Sequence, residues 1–224
     1  MNKLRLVPLL TGLVPIVAVH TTLVVSALQE YIPWCIPYID SCTSISATGR
    51  HGAAYFIFKG TMIPAAMIMM LYWILVCRWI TVLGEKSIAV RRTILIIGVT
   101  AALFLILYAV ALGAAGDYLK VQRRMGVTVY FTFTYLGQLL LTWRLGLLLK
   151  NDRTRSWQLA NCYSLLAIGI LTLFLGILLP GYEDYEDAFE WIMALLIHLY
   201  FFITWIGWRN TGFKVTFYTH PDAR

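Results

Sequence analysis

Six long stretches of the sequence contain no aspartate, glutamate, lysine or arginine. They cover residues 6–29, 60–77, 93–116, 125–143, 156–182 and 191–208. Each is close to the roughly 18–20 apolar residues that a helix needs to cross the hydrocarbon core of a bilayer. Because lipid offers no partners to backbone amides, each stretch is expected to be helical. The sequence therefore predicts an all-α, polytopic membrane protein with six transmembrane helices.

The composition agrees with a membrane protein of one domain. Hydrophobic residues make up 60% of the 224 positions and charged residues only 13%, which is more apolar surface than a soluble domain can bury. The first stretch follows Lys3 and Arg5 in the manner of a signal peptide. It is longer than a signal core, however, and its cleavage pattern is weak, so we expect it to remain as the first helix. We predict a single six-helix transmembrane domain over residues 1–224, with a structured first outer loop at about 30–54.

The distribution of basic residues indicates the orientation. With the N-terminus inside, 13 of the 18 lysines and arginines lie in inner segments and 5 in outer segments. Positive charge favours the cytoplasmic side of a membrane protein, so both termini are predicted to be cytoplasmic. A net charge of +7 can also indicate a nucleic-acid partner, but here the charge follows the topology, and we expect no nucleic acid to bind.

The first outer loop contains two cysteines, Cys35 and Cys42. The predicted orientation exposes them to an oxidising compartment, where a disulfide is stable. Two cysteines alone make an incomplete metal site, so we predict a structural disulfide and no metal. Cys77 and Cys162 fall near the cytoplasmic ends of the second and fifth helices. They are expected to be free thiols, with reversible palmitoylation as the alternative.

Five ionisable residues fall inside or at the edge of the predicted spans, all in the outer half. They are His20, Lys59, Asp117, Glu190 and His198. Ionisable groups at membrane depth are costly and mark functional sites. Each also has a structural alternative: the histidines can bridge helices, Lys59 can pair with a carboxylate, and Glu190 can belong to a solvated acidic loop. Their shared depth predicts a polar pocket that opens toward the outer leaflet.

The pocket hypothesis places these residues relative to one another. We expect Glu190 to pair with Lys59 or Arg124 near the outer surface, and His20 to lie deeper in the same cavity. The basic pair Arg50-His51 would approach from the loop above. The residues predicted to bind substrate are Arg50, His51, Lys59, Asp117 and Arg124.

The sequence indicates no cofactor. His20 and His198 could ligate a haem, but nothing else in the sequence shapes a porphyrin slot. The motifs of P-loops, dinucleotide-binding turns, serine hydrolases and HExxH zinc sites are absent from the sequence. We therefore predict neither a cofactor nor a standard catalytic motif.

Several stretches resemble a known family. The segment WCIPYIDSCTSISATGRHGAAYFIFKGTMIPAAMIMMLYW is similar to the first outer loop and second helix of the DRAM/Frag/Sfk family of six-span membrane proteins. Asp117-Tyr118, LGQLLLTWRL and FEWIMALLIHLYFFITWIGWRNTGFKVTF agree in the same order. The Pro-Tyr-Ile and following Asp resemble the autophagy-modulator branch. The Cys-x-x-Pro opening, the Ser-Ile-Ser-Ala run and the Pro64-to-Trp73 spacing are closer to the GPI-anchor lipid-remodelling branch (post-GPI-attachment factor two).

The resemblance implies a polytopic protein of the Golgi, endoplasmic reticulum or lysosome that acts on lipids, and we predict a Golgi or endoplasmic reticulum membrane. In the remodelling branch the implied step is re-acylation of a lyso-GPI anchor or another lysolipid, with a partner lipid enzyme as a further implied contact. One departure matters. The family pattern leads us to expect a histidine a few residues after Asp117, where this chain has Gln122 and Arg123. Neither side chain can replace histidine as a general base.

Three functions remain open at this point. In the first, an acyltransferase-like remodelling factor, His20 or His198 acts as general base and Glu190 orients it. Lys59 or Arg50 would then face a phosphate or the developing oxyanion. In the second, the same pocket binds lipid or a partner enzyme without catalysis and regulates lipid homeostasis or autophagy. The third, a small-molecule transporter, is disfavoured because the paired broken helices typical of transporters are missing.

Overall fold

The structure, a computed structural model, describes residues 3–149 and 153–215, and every regular element in this part of the chain is helical. A 3-10 turn at Lys3–Leu6 leads into α1. The helices are α1 (Val7–Leu28), α2 (Pro37–Asp40), α3 (Ile45–Thr48), α4 (Gly52–Val82), α5 (Ile88–Ala111), α6 (Asp117–Leu148), α7 (Arg153–Leu178) and α8 (Glu183–Asn210). The six long helices correspond to the six charge-free stretches, and α2 and α3 give the first outer loop its predicted structure.

Helix ends differ from the charge-free stretches in two informative places. α5 ends at Ala111, before the stretch ends at 116, because Gly113 and Gly116 adopt positive φ angles of 72° and 112°. α4 begins at Gly52, well before the stretch begins at 60. Lys59 therefore lies about two turns inside α4.

Five of the described helical segments are long and apolar enough to cross a membrane. They are Leu4–Leu28, Gly52–Val82, Ile88–Ala111, Arg153–Leu178 and Asp184–Asn210. α6 has ample length, at 32 residues, but its threonines, tyrosines and glutamine lower its hydropathy. The chain is therefore an all-α, multi-pass membrane protein.

The long helices form a closed bundle. α4 packs between α1 and α5, α6 packs between α5 and α7, and α8 contacts both α7 and α1. Gly12 allows α1 to approach α8 closely, because a Cβ at this position would lie 2.8 Å from the carbonyl oxygen of His198. Gly98 and Gly137 make room in the same way for the indole of Trp73, which is fully buried between α4, α5 and α6.

The half of the bundle that is predicted to face the cytoplasm, here called the inner half, has an aromatic, hydrogen-bonded core. The rings of Tyr72 and Phe201 meet edge to face, with centroids 4.9 Å apart. The Tyr200 hydroxyl lies 2.8 Å from Thr142 Oγ1 and donates to the Gln138 carbonyl oxygen at 3.1 Å. The Gln138 side-chain amide donates in turn to a carbonyl of α8 at 2.9 Å. These bonds tie α6 and α8 together inside the apolar core.

A buried ion pair fixes the inner end of the bundle. Glu85, in the α4–α5 loop, is 4% exposed and accepts hydrogen bonds from Arg144 Nε at 2.6 Å, from Arg144 Nη2 and from the Ser87 N–H at 2.8 Å. Burial acts to raise the pKa of Glu85, but the Ser87 hydrogen bond and the Arg144 guanidinium outweigh it and hold the pKa below its ordinary value. At the same end, Arg5 Nε donates to the Phe213 carbonyl at 2.8 Å.

Candidate functional site

A cavity in the outer half brings together three of the predicted residues. His20 from α1 and Glu190 and His198 from α8 line a space of about 40 Å³. The rest of the wall is aromatic and aliphatic and includes Tyr38, Phe58, Met62, Leu105, Tyr108, Tyr130, Phe131 and Trp191. This volume holds about two or three water molecules. A larger ligand therefore needs the wall to move.

His20 has a defined tautomer, and a backbone carbonyl and a tyrosine orient it rather than Glu190, so that part of the prediction is wrong. Its Nδ1 lies 2.7 Å from the carbonyl oxygen of Ile16, one turn earlier in α1, and its Nε2 lies 3.0 Å from the Tyr38 hydroxyl. A carbonyl can only accept, so Nδ1 carries the hydrogen and Nε2 of the neutral ring is the acceptor. Burial raises the pKa of Tyr38, which keeps its hydroxyl protonated and able to donate.

His198 repeats this arrangement on the opposite side of the cavity. Its Nδ1 lies 2.7 Å from the Ala194 carbonyl oxygen, and the Tyr130 hydroxyl lies 3.2 Å from Nε2. The side chain is 6% exposed. The cavity thus contains two histidines with the same tautomer, each with a tyrosine hydroxyl on the nitrogen that could act as a base.

The first outer loop is attached to α8 beside Glu190 by a clasp formed by Ser41, Thr43 and Ile45. Ser41 Oγ accepts from an α8 backbone N–H at 3.1 Å, and the Thr43 carbonyl accepts from Trp191 Nε1 at 2.8 Å. The backbone N–H of Ile45 donates to the Glu190 carboxylate. The clasp therefore holds the loop over the cavity and gives Glu190 a hydrogen bond without an opposite charge.

Arg50, predicted to bind substrate, lies in the loop and is not among the residues that line the cavity. Its Nη2 donates to Ser46 Oγ at 2.5 Å, and its buried Nε has no partner among the described residues. Its positive charge acts on the carboxylates of Glu190 and Asp187. The loop thus supplies a cation whose charge acts on Glu190, a residue of the cavity wall.

Lys59 and Arg124 do not pair with Glu190, and that prediction is wrong. The Lys59 ammonium donates to the Tyr55 hydroxyl at 2.6 Å and to the Val110 carbonyl at 2.9 Å. Val110 is the penultimate residue of α5, where unpaired carbonyls attract a cation. Arg124 is exposed, and the ion pair found in the described part of the chain lies elsewhere. Lys59 therefore joins α4 to α5, and neither residue lines the cavity.

His51 and Asp117, also predicted to bind substrate, lie outside the cavity wall. His51 is exposed at the start of α4 and stacks on the ring of Tyr31, with centroids 5.2 Å apart. Asp117 is the exposed first residue of α6. Both belong to the outer surface of the protein.

The predicted disulfide between Cys35 and Cys42 is present, with the Cα atoms 6.5 Å apart. It closes the part of the loop that carries Tyr38, the hydrogen-bond partner of His20. Cys77 and Cys162 are free thiols, as predicted, and Cys162 is buried. The disulfide therefore constrains one wall of the cavity.

Three tyrosines of the wall had no role in the sequence analysis. Tyr38 and Tyr130 donate to the histidines, and the buried hydroxyl of Tyr108 faces the cavity without a partner among the described residues. Tyrosines in membrane proteins favour the interfaces. Tyr130, which lies well inside the charge-free stretch 125–143, departs from that preference, and this departure is the signal that could have identified it.

Comparison of the chain with protein-family models, with curated proteins and with solved structures found no match. Within the described residues, no group of three or more histidine, cysteine, aspartate or glutamate side chains is placed to hold a metal ion.

Proposed function

We propose that this chain is a membrane lipid-remodelling factor that takes part in the re-acylation of GPI-anchor lipids through the outer-half cavity. The observation that carries the proposal is the convergence of His20, Glu190 and His198 in one cavity with an apolar wall. Apolar walls suit an acyl chain, and histidine with a carboxylate supplies the acid-base groups of acyl transfer. The resemblance to the DRAM/Frag/Sfk family supports the GPI-anchor substrate and a Golgi or endoplasmic reticulum location.

The proposal includes six spans with both termini in the cytoplasm. α6 supports the sixth span because it packs between α5 and α7 as a full member of the bundle. The bond from Arg5 to Phe213 supports termini on one side. A cysteine introduced at the exposed position His51 should react with a membrane-impermeant maleimide from the luminal or outer side. Reaction from the cytoplasmic side alone would reverse the orientation.

In this proposal His20 is the general base and Tyr38 is the group that a substrate displaces. A lysolipid hydroxyl in place of the Tyr38 hydroxyl would donate to Nε2 and lose its proton to that nitrogen as its oxygen attacks the acyl carbonyl. The imidazolium would then return the proton to the leaving group. Arg50 and the free hydroxyl of Tyr108 are the donors available to the developing oxyanion.

Acyl transfer in reconstituted vesicles tests the proposal. The full chain is supplied with a labelled lysolipid and an acyl donor, and transfer is measured for the natural protein and for His20→Gln and Glu190→Gln. Loss of a general base lowers the rate by about 10²-fold or more. His51→Gln is the matched control, because this histidine is exposed outside the cavity. Full transfer by a His20→Gln/Glu190→Gln double variant would exclude the cavity as the reaction site.

A non-catalytic lipid-binding regulator is the second candidate, and one observation favours it. The Nε2 atoms of His20 and His198 are both already bonded to tyrosines, so neither base is free in this state. The same vesicles distinguish the two candidates. Retention of the labelled lysolipid by the natural protein without any acyl transfer, weakened in Glu190→Gln, identifies a regulator.

A further inference from the structure

A second, larger cleft lies between α6 and α7 at the opposite end of the bundle from His20 and Glu190. Its volume is about 380 Å³, within the range of small-molecule sites. It lies between residues 139–147 of α6 and 155–163 of α7. The side chains of Trp143, Leu147 and Tyr163 are exposed at its rim, whereas Thr142 and Cys162 form a buried floor. The cleft is thus an apolar space that opens sideways between two helices.

One arginine lies in this cleft, and the fold makes room for it. Arg155, in the first turn of α7, packs its guanidinium on the backbone of Gly146, where a Cβ would lie 2.7 Å from Arg155 Nε. The Nε atom is buried and has no hydrogen-bond partner in residues 3–149 and 153–215. A buried donor without a partner costs free energy. A phosphate in the cleft would give this guanidinium an acceptor.

The neighbouring arginines at this end have partners of their own. Arg144 is paired with Glu85, and the Arg153 guanidinium lies 5.1 Å from the ring centroid of Trp157. Arg153 is exposed, whereas Arg155 is half-buried. Of these three arginines, Arg155 is the one that lines the apolar cleft, and its Nε is an unused donor.

We propose that the α6–α7 cleft binds one anionic phospholipid, with an acyl chain along the apolar side chains of the lining and the phosphate on Arg155. Three features of the cleft match this ligand. The lining is mainly apolar, the guanidinium lies near the helix end where headgroups begin, and Trp143 and Tyr163 at the rim are amphipathic residues that suit the lipid boundary. Guanidinium groups bind phosphate through several donors at once. This site is separate from the outer-half cavity and does not depend on the function proposed for it.

Native mass spectrometry of the full chain tests the site. The delipidated protein is titrated with phosphatidylglycerol and with phosphatidylcholine of identical acyl chains, and bound lipid is counted. Phosphatidylglycerol should be retained in preference. Arg155→Gln should lower its affinity roughly tenfold or more, because a charge-assisted hydrogen bond is lost. Arg153→Gln is the matched control: it removes the same charge two residues away and should leave retention unchanged.

Several results would overturn the proposal. They are equal retention of the two lipids, equal effects of the two arginine variants, and retention of free fatty acid but not of phospholipid. A dimer that dissociates when Leu159→Trp fills the cleft would show that a second copy occupies it instead.

A measurement on the natural cleft covers the case in which Arg155→Gln does not fold. In a Cys77→Ser variant, Cys162 is the remaining free thiol, and it lies on the floor of the cleft. Its alkylation by a membrane-permeant maleimide should be slower in nanodiscs that contain phosphatidylglycerol than in pure phosphatidylcholine. Equal rates in the two kinds of nanodisc would count against the site.

Discussion

The outer and inner halves of the bundle differ in the partners of their ionisable side chains. In the outer half, His20, Glu190 and His198 share a cavity, and the hydrogen bonds that hold them come from neutral groups. In the inner half, the carboxylate of Glu85 is bonded to the guanidinium of Arg144 and to a backbone N–H. The outer groups have neutral partners that a ligand can displace, whereas the inner pair is neutralised within the protein. The comparison indicates that the inner ion pair maintains the fold, whereas the outer half holds the candidate site.

The largest loss of stability is expected when the inner ion pair is broken. Glu85→Gln leaves the Arg144 guanidinium without its counter-charge, and removal of one partner of a buried pair costs about 3–5 kcal/mol. We expect the lower end, about 3 kcal/mol, because the Arg144 side chain is 18% exposed and water can reach it. Thermal unfolding in detergent measures the change. A loss well under 1 kcal/mol would show that the inner half does not depend on this pair.

The pH dependence of the same contribution serves as its control. The pKa of Glu85 is lower in the folded state than its ordinary value, so its contribution is fully present above the ordinary pKa and is lost as the pH falls through the folded pKa. The difference in melting temperature between the natural protein and Glu85→Gln should therefore shrink on acidification. A difference that grows as the pH falls would contradict the assignment.

Loss of the disulfide should destabilise the outer loop and leave the inner half unchanged. Closing so short a loop contributes about 2–3 kcal/mol by the chain-entropy estimate. In the Cys35→Ser/Cys42→Ser double variant, hydrogen exchange should accelerate in residues 30–54, while the amides around Trp73 stay protected. Equal acceleration in both regions would show that the two halves unfold as one unit.

The close packing around Trp73 predicts a smaller effect at a glycine. A Cβ at Gly98 would lie 2.2 Å from the buried indole, so Gly98→Ala should cost about 1–3 kcal/mol through overpacking. Gly60→Ala is the matched control, because a Cβ there meets nothing within 4 Å. Melting temperatures of the two variants should separate, with Gly60→Ala at or above the natural protein.

The smallest effect on stability is expected at Glu190. Glu190→Gln keeps an oxygen that can accept from the Ile45 N–H and breaks no ion pair in the described residues. The free energy of unfolding should change by less than about 1 kcal/mol, the size of one ordinary hydrogen bond. A loss of stability as large as that of Glu85→Gln would show that the ionisable groups of the two halves contribute equally to the fold.

The sequence predicted the helices well because long charge-free stretches have few alternatives in lipid. It could not predict the direction in which each helix faces. Lys59 and Glu190 lie at similar depth, yet Lys59 faces the end of α5 and Glu190 faces the cavity, because side-chain direction depends on how the helices are rotated against one another. Depth can be read from position along the chain, whereas rotation is set by contacts such as that of Gly12 with α8.

Glu85, the acidic residue of the inner ion pair, was also not predicted from the sequence. Glu85 is a single carboxylate in a loop followed by Lys86, Arg91 and Arg92, which reads as part of a basic cytoplasmic segment. Its burial follows from the way the loop turns back onto α6. A lone acid among bases in a short loop is the pattern that could have indicated an ion pair.

The bond from each histidine Nδ1 to a carbonyl four residues earlier has a mechanical consequence. Because these bonds lie within α1 and within α8, each imidazole moves with its own helix. The distance between the two Nε2 atoms therefore depends on the position of α1 along α8. That position is fixed by the close packing of Gly12 against the His198 carbonyl. A slide of one helical turn, about 5.4 Å, would change the distance between the two bases without rotating either ring relative to its helix.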